Sequence, residues 1–92
     1  MITEPLPSLL AAVEYEIARQ REEFAVRYGM ELDLAAAVDE QAEAIVITGE
    51  CLKLWGPRTV LEARISRAGL RSETYAPDMR IIVYPTSDQE QT

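Results

Sequence analysis

Arginines are the residues of this chain whose types and spacing most directly suggest chemistry. Three of them recur in the second half at i, i+3 and i+7, the spacing of a stripe along one helix face. A further arginine and a threonine follow a Gly-Pro pair, where a helix is predicted to begin and where free backbone N–H groups favour an anion. The candidate contacts to phosphate or nucleic acid are Arg58, Thr59, Arg64, Arg67 and Arg71.

The distribution of charge weighs against a polyanion as the main partner. The formal net charge is -7, with -8 in residues 1–50, +3 in residues 51–84 and -2 in residues 85–92. A surplus of +3 is small for a nucleic-acid-binding surface, and the arginines could instead pair with the acidic first half of the same fold. An RNA- or polyanion-binding module is therefore the alternative hypothesis.

Other reactive groups are few. The chain has no histidine, which removes the commonest general base and the commonest metal ligand. Its single cysteine, Cys51, cannot form an intramolecular disulfide and lies in an apolar run, which favours a reducing, cytoplasmic setting. The carboxylates lack the loop spacing of a calcium or magnesium site. The sequence therefore predicts no catalytic residue, no metal site and no cofactor.

A long amphipathic helix is predicted at the beginning of the chain. Pro7 and Ser8 open this helix, with the Ser8 oxygen placed to cap an early backbone N–H, and Gly29 suits its end. Between them, apolar residues recur at helical spacing and form one ridge. The members of this ridge are Leu9, Leu10, Val13, Ile17, Phe24 and Tyr28.

The segment 30–43 is ambiguous. Leu32, Leu34, Ala36 and Val38 alternate as in a strand, whereas the neighbouring alanines and acidic residues suit a helix. A strand over 31–38 is favoured because the apolar run 44–54 needs a pairing partner. In that run, Gly49 interrupts the pattern and suggests a bulge.

The remaining elements follow from turn signals. Gly56-Pro57 predicts the start of a helix over 57–69, with Trp55 packed on the core, and strands are predicted at 70–75 and 79–84. The resulting fold class is α+β, in the order α-β-β-α-β-β, with one mainly antiparallel sheet covered on one face by two helices. Residues 1–84 form one domain, and 85–92 a disordered polar tail.

The first helix leads to the functional hypothesis. Its apolar ridge is longer than a four-stranded sheet of this size is expected to cover, which predicts an interface with another protein or with a second copy as a homodimer. No basic amino-terminal signal or membrane-spanning apolar run is present, so no membrane partner is predicted. The expected function is a small, cytoplasmic, non-enzymatic interaction module.

Overall fold

The computed structural model describes residues 5–85. Residues 1–4 lie outside that range, as does all of the predicted polar tail except Pro85. Two helices and four strands account for most of the described chain, and neither helix is both long and apolar enough to cross a membrane. They are α1 Pro5–Tyr28, β1 Ala35–Asp39, β2 Ala44–Thr48, α2 Trp55–Arg67, β3 Arg71–Tyr75 and β4 Arg80–Tyr84.

The four strands form one antiparallel sheet in the order β1-β2-β4-β3. The central strands, β2 and β4, are also the most apolar, with the sequences AIVIT and RIIVY. The outer strands are β1 and β3. The predicted fold class, element order and antiparallel sheet are confirmed.

The ambiguous segment after α1 contains a strand rather than a helix. β1 pairs with β2 along its whole length, from Ala35 opposite Thr48 to Asp39 opposite Ala44. Asp39 also shapes the connection, because its Oδ1 accepts hydrogen bonds from the backbone N–H of Gln41 and Ala42 at 3.1 and 3.2 Å. Cross-strand pairing and this side-chain-stabilised turn outweigh the helical propensity of the alanines.

Both helices cover the same face of the sheet. α1 contacts β1 and β2, α2 contacts β3, and the two helices contact each other. Along β4, and over residues 45–47 of β2, buried side chains alternate with partly buried ones, as expected for strands with one covered face. The side chains buried on that face include Ile45, Ile47, Ile81 and Val83.

Several predicted boundaries were wrong. α1 includes Pro5, so Ser8 lies within the helix rather than at its amino-terminal cap. β2 ends at Thr48, and Glu50–Lys53 forms a 3-10 turn instead of continuing the strand. This turn is held by the Asp33 carboxylate, which accepts hydrogen bonds from the backbone N–H of Glu50 at 2.8 Å and Cys51 at 3.0 Å.

Candidate interaction surfaces

The predicted apolar ridge of α1 lies mainly inside the protein. Of its six residues, Leu9, Val13, Ile17 and Phe24 are buried in the core, and Leu10 is partly buried against it. Only Tyr28 is largely exposed. The buried part of the ridge is covered by side chains of the following segments, including Leu32, Leu34, Leu52, Leu61 and Ile65. These buried residues stabilise the fold and are not available for contact in this structure.

The predicted arginine stripe is divided between different parts of the structure. Arg64 is only 14% exposed, because its Nε donates to Gln20 Oε1 at 3.0 Å and its guanidinium pairs with Glu23. Arg67 is exposed at the end of α2. Arg71 belongs to β3 rather than α2, and its guanidinium lies 5.2 Å from the ring centroid of Tyr84. The structure therefore does not form a continuous cationic surface from these arginines.

At the predicted anion site at the start of α2, the polar side chains form hydrogen bonds with nearby backbone carbonyl groups. Arg58 Nη1 donates to the carbonyl oxygen of Leu52 at 3.1 Å. The Thr59 hydroxyl donates to the carbonyl oxygen of Trp55 at 2.9 Å. Both polar side chains thus support the turn and the first helical residues.

Gln20 connects the two helices and was not singled out from the sequence. It is completely buried, and its Nε2 donates to the carbonyl oxygen of Pro57 at 2.8 Å while its Oε1 accepts from Arg64. A buried amide of this kind requires both hydrogen-bonding ends to be satisfied. The only sequence signal is that Gln20 is a polar residue on a helix face whose neighbouring members, Val13, Ile17 and Phe24, are apolar.

A polar aromatic cluster lies across β3 and β4. Its tyrosine hydroxyls, those of Tyr75 and Tyr84, are 3.3 Å apart, and both donate to Glu73 Oε1. The guanidinium of Arg80 lies 5.9 Å from the ring centroid of Tyr75. The hydrogen bond to Glu73 raises the pKa of Tyr75, since an adjacent carboxylate disfavours the phenolate. These contacts connect β3 with β4, and the tyrosine hydroxyls have their hydrogen-bond partners within the protein.

Among the described residues, Leu54 and Trp55 are the one pair of consecutive large apolar residues that are both exposed. Leu54 is 52% exposed and Trp55 is 73% exposed, so the expectation that Trp55 packs on the core was wrong. Pro57, two residues further on, is buried instead. The first turn of α2 therefore directs its proline inward and leaves the tryptophan on the surface.

Two grooves lie beside α1, where the chain leads into β1. The larger has a volume of about 690 Å³ and is lined partly by Arg21, Glu22, Glu31 and Asp33. The smaller, of about 340 Å³, lies between Glu14 and Arg21 on α1 and residues 34–36. Arg21 Nε donates to the carbonyl oxygen of Leu32 at 3.3 Å, so the basic group of these grooves already has a backbone partner.

A hydrogen bond from the backbone N–H of Cys51 links this residue to Asp33, which lies in the wall of the larger groove. Burial, followed by the hydrogen bond to Asp33, raises the pKa of the Cys51 thiol to about 11, which disfavours the nucleophilic thiolate. The hydrogen bonds from Cys51 and Glu50 lower the pKa of Asp33 to about 2. Within residues 5–85, no three histidine, cysteine, aspartate or glutamate side chains are arranged to hold a metal ion.

Comparisons with known proteins provide no further assignment. No family model matches this chain, and neither the curated proteins nor the solved structures contain a significant match. A functional proposal therefore depends on the surfaces described above, among which Leu54 and Trp55 are two consecutive exposed apolar residues.

Proposed function

We propose that this chain is a small non-enzymatic protein-interaction module, which binds another protein or a second copy of itself. The observation that carries the proposal is the exposure of two consecutive large apolar residues, Leu54 and Trp55, on the surface of a domain with a well-filled core. Tryptophan is enriched among the residues that dominate binding energy at protein interfaces. We therefore assign the central contact to these two side chains.

The position of this pair supports a fixed contact surface. Leu54 and Trp55 connect the 3-10 turn to α2, and both neighbouring elements are anchored: the turn by Asp33, and α2 by the hydrogen bond from Gln20 to Pro57. A side chain carried by an anchored backbone loses less conformational freedom on binding than one carried by a mobile loop. The proposal includes a cytoplasmic setting, which is supported by the single, buried, free thiol of Cys51.

Replacing Trp55 with alanine is expected to reduce partner binding at least tenfold while leaving the fold intact, because most of the indole is exposed in the free protein. The tagged wild-type chain and the variant would be compared by quantitative recovery of partners from cells that naturally produce the protein. Tyr15→Ala is the matched control, since it removes another exposed aromatic side chain from a different surface.

The single tryptophan also reports directly on self-association. If a second copy covers Trp55, its fluorescence emission should shift to the blue as light scattering shows conversion from monomer to dimer. A chain that remains monomeric at high micromolar concentration and recovers no partner protein from these cells would contradict the proposed function. Recovered proteins that are unchanged by Trp55→Ala would contradict the contact assigned to Leu54 and Trp55.

Polyanion binding is the weaker proposal because Arg58 and Arg64 already have internal partners, while Arg71 lies in the sheet. We expect no measurable affinity for a generic single-stranded RNA oligonucleotide, even at low salt, where phosphate contacts are strongest. Fluorescence anisotropy over a salt series tests this expectation. Binding that weakens steeply with salt, and that is lost in Arg67→Ala, would favour the polyanion-binding alternative.

A further inference from the structure

The outer edge of β1 carries no charged side chain over four of its five residues. Its sequence is AAAVD, so Asp39 is its only charged residue. Among the described residues, no strand pairs with β1 on the side away from β2. Such an edge presents unpaired backbone N–H and C=O groups and can accept another strand.

The opposite edge provides an internal comparison. β3 has the sequence RSETY and includes Arg71 and Glu73. Charged residues on an edge strand are a common means of preventing unwanted strand pairing. One edge of this sheet is therefore protected in the usual way, whereas the other remains compatible with strand addition.

The surroundings of β1 indicate the charge of a compatible strand. The two grooves beside α1 contain four carboxylates but one guanidinium, and that guanidinium, of Arg21, contacts backbone carbonyl groups. The turn at the other end of β1 adds further acidic residues. The acidic groups of the grooves and turn are Glu14, Glu22, Glu31, Asp33, Asp39, Glu40 and Glu43.

We propose that β1 accepts an extended, lysine- or arginine-containing segment of another protein as an additional strand. This inference rests on the proposed function, since it assigns one kind of partner to the interaction module. A second copy paired through the same edge would bring together two acidic halves, each with a net charge of -8 over residues 1–50. Charge complementarity therefore favours a basic partner over another copy at this edge.

The shape of the edge suits this mode of recognition. In an added strand, alternate side chains point to opposite faces of the sheet, so basic residues on the helical side would lie near the groove between Glu14 and Ala36. Backbone hydrogen bonds would supply the pairing, and the Glu14 carboxylate in this groove would select a basic residue on the helical side.

Two capped octapeptides provide the primary test. One alternates lysine with valine, and the other alternates lysine with proline, so both carry the same charge but only the first has backbone N–H groups at every position. Calorimetric titration should show at least tenfold tighter binding of the lysine–valine peptide, because proline removes the pairing donors and disfavours a regular strand. Amide hydrogen exchange should show increased protection within residues 35–39.

Two protein variants provide the matched control for net charge. Val38→Lys introduces a positive charge on the helical face of β1, where Val38 lies opposite the buried Ile45 and is itself 38% exposed, whereas Ser66→Lys introduces the same charge on the exposed surface of α2. We expect the first to weaken binding of the lysine–valine peptide at least fivefold and the second to change it less than twofold, because only the first opposes a basic residue across the pairing edge.

The peptide experiments test strand addition at β1, whereas partner recovery with Trp55→Ala tests the proposed interaction module. Equal binding of the two peptides would indicate charge attraction alone and would overturn strand addition, as would absence of binding. Concentration-dependent protection of residues 35–39 without peptide would indicate a second copy and would also overturn the basic-partner inference. In each of these cases, partner loss in Trp55→Ala would still support the proposed interaction module. Partner recovery unaffected by Trp55→Ala, together with selective peptide binding, would support β1 while contradicting the Leu54–Trp55 contact.

Discussion

Gly49→Ala is expected to lower the free energy of unfolding by about 3 kcal/mol, because the new methyl group would collide with the backbone that holds the turn before α2. An added Cβ would lie 2.7 Å from the carbonyl oxygen of Asp33 and 3.2 Å from Asp33 Oδ1. Gly49 also has a φ of +156°, which side-chain-bearing residues rarely adopt. Urea denaturation monitored by circular dichroism would measure the loss.

The energetic effect arises because Asp33 and Gly49 form one local unit. Moving the Asp33 backbone away from the added methyl group would also displace the carboxylate that accepts hydrogen bonds from Glu50 and Cys51. The substitution therefore combines steric strain with weakened support for the 3-10 turn. A small domain typically has a total stability of only about 5 to 15 kcal/mol, so a loss of this size would be readily detected.

Gly29→Ala is the control, because Gly29 also has a positive φ angle but an added methyl group there would not collide with other atoms. Gly29 has a φ of +61°, but an added Cβ would meet no atom within 4 Å. Its replacement should cost about 1 kcal/mol, the usual penalty for placing an L-residue in the left-handed region. Equal losses in the two variants would show that contact with Asp33 does not determine the requirement for Gly49.

The sequence predicted the order of elements because the relevant signals are local. Gly29 has the left-handed conformation expected at the end of α1, and Pro57 lies in the first turn of α2. The end of β2 could not be located in the same way. The 3-10 turn after Thr48 depends on Asp33, a residue from before β1 whose proximity is established only when the sheet forms.

The surface was less predictable because burial depends on which elements meet. The ridge of α1 was expected to remain partly uncovered, yet Leu52, Leu61 and other later residues complete a core around it. For Trp55 the prediction was wrong in the opposite direction. Its apolar character suggests burial, but its position in the first turn of α2 leaves it exposed. Composition identifies the apolar residues, but packing between distant segments determines which of them remain available.

The internal roles of the arginines also depend on contacts between distant parts of the chain. Arg64 lies 44 residues from its hydrogen-bond partner Gln20 and 41 residues from Glu23. The spacing of Arg64 and Arg67 correctly predicts that both lie on α2, whereas Arg71 lies beyond the end of that helix. The spacing does not indicate that Arg64 contacts Gln20 and Glu23. The sequence-based alternative that arginines pair with the acidic first helix is confirmed for Arg64.

Gln20→Ala is expected to lower the free energy of unfolding by about 3 kcal/mol. The change removes a completely buried amide, its hydrogen bonds to Pro57 and Arg64, and side-chain volume between the helices. Gln41→Ala provides a chemically identical control at an exposed position and should change stability by no more than about 0.5 kcal/mol. Urea denaturation of both variants would test the difference.

A double-mutant cycle would identify how much of the Gln20 effect comes from Arg64. Gln20→Leu and Arg64→Met should together cost less than the sum of the two single substitutions, because the double variant no longer leaves either polar partner buried without the other. The expected coupling is about 1 to 2 kcal/mol. Strict additivity, or a Gln20→Ala variant as stable as Gln41→Ala, would contradict the role assigned to this interhelical contact. The same variants should retain partner binding under conditions in which they remain folded, because Gln20 stabilises α2 from inside while Trp55 remains on its surface.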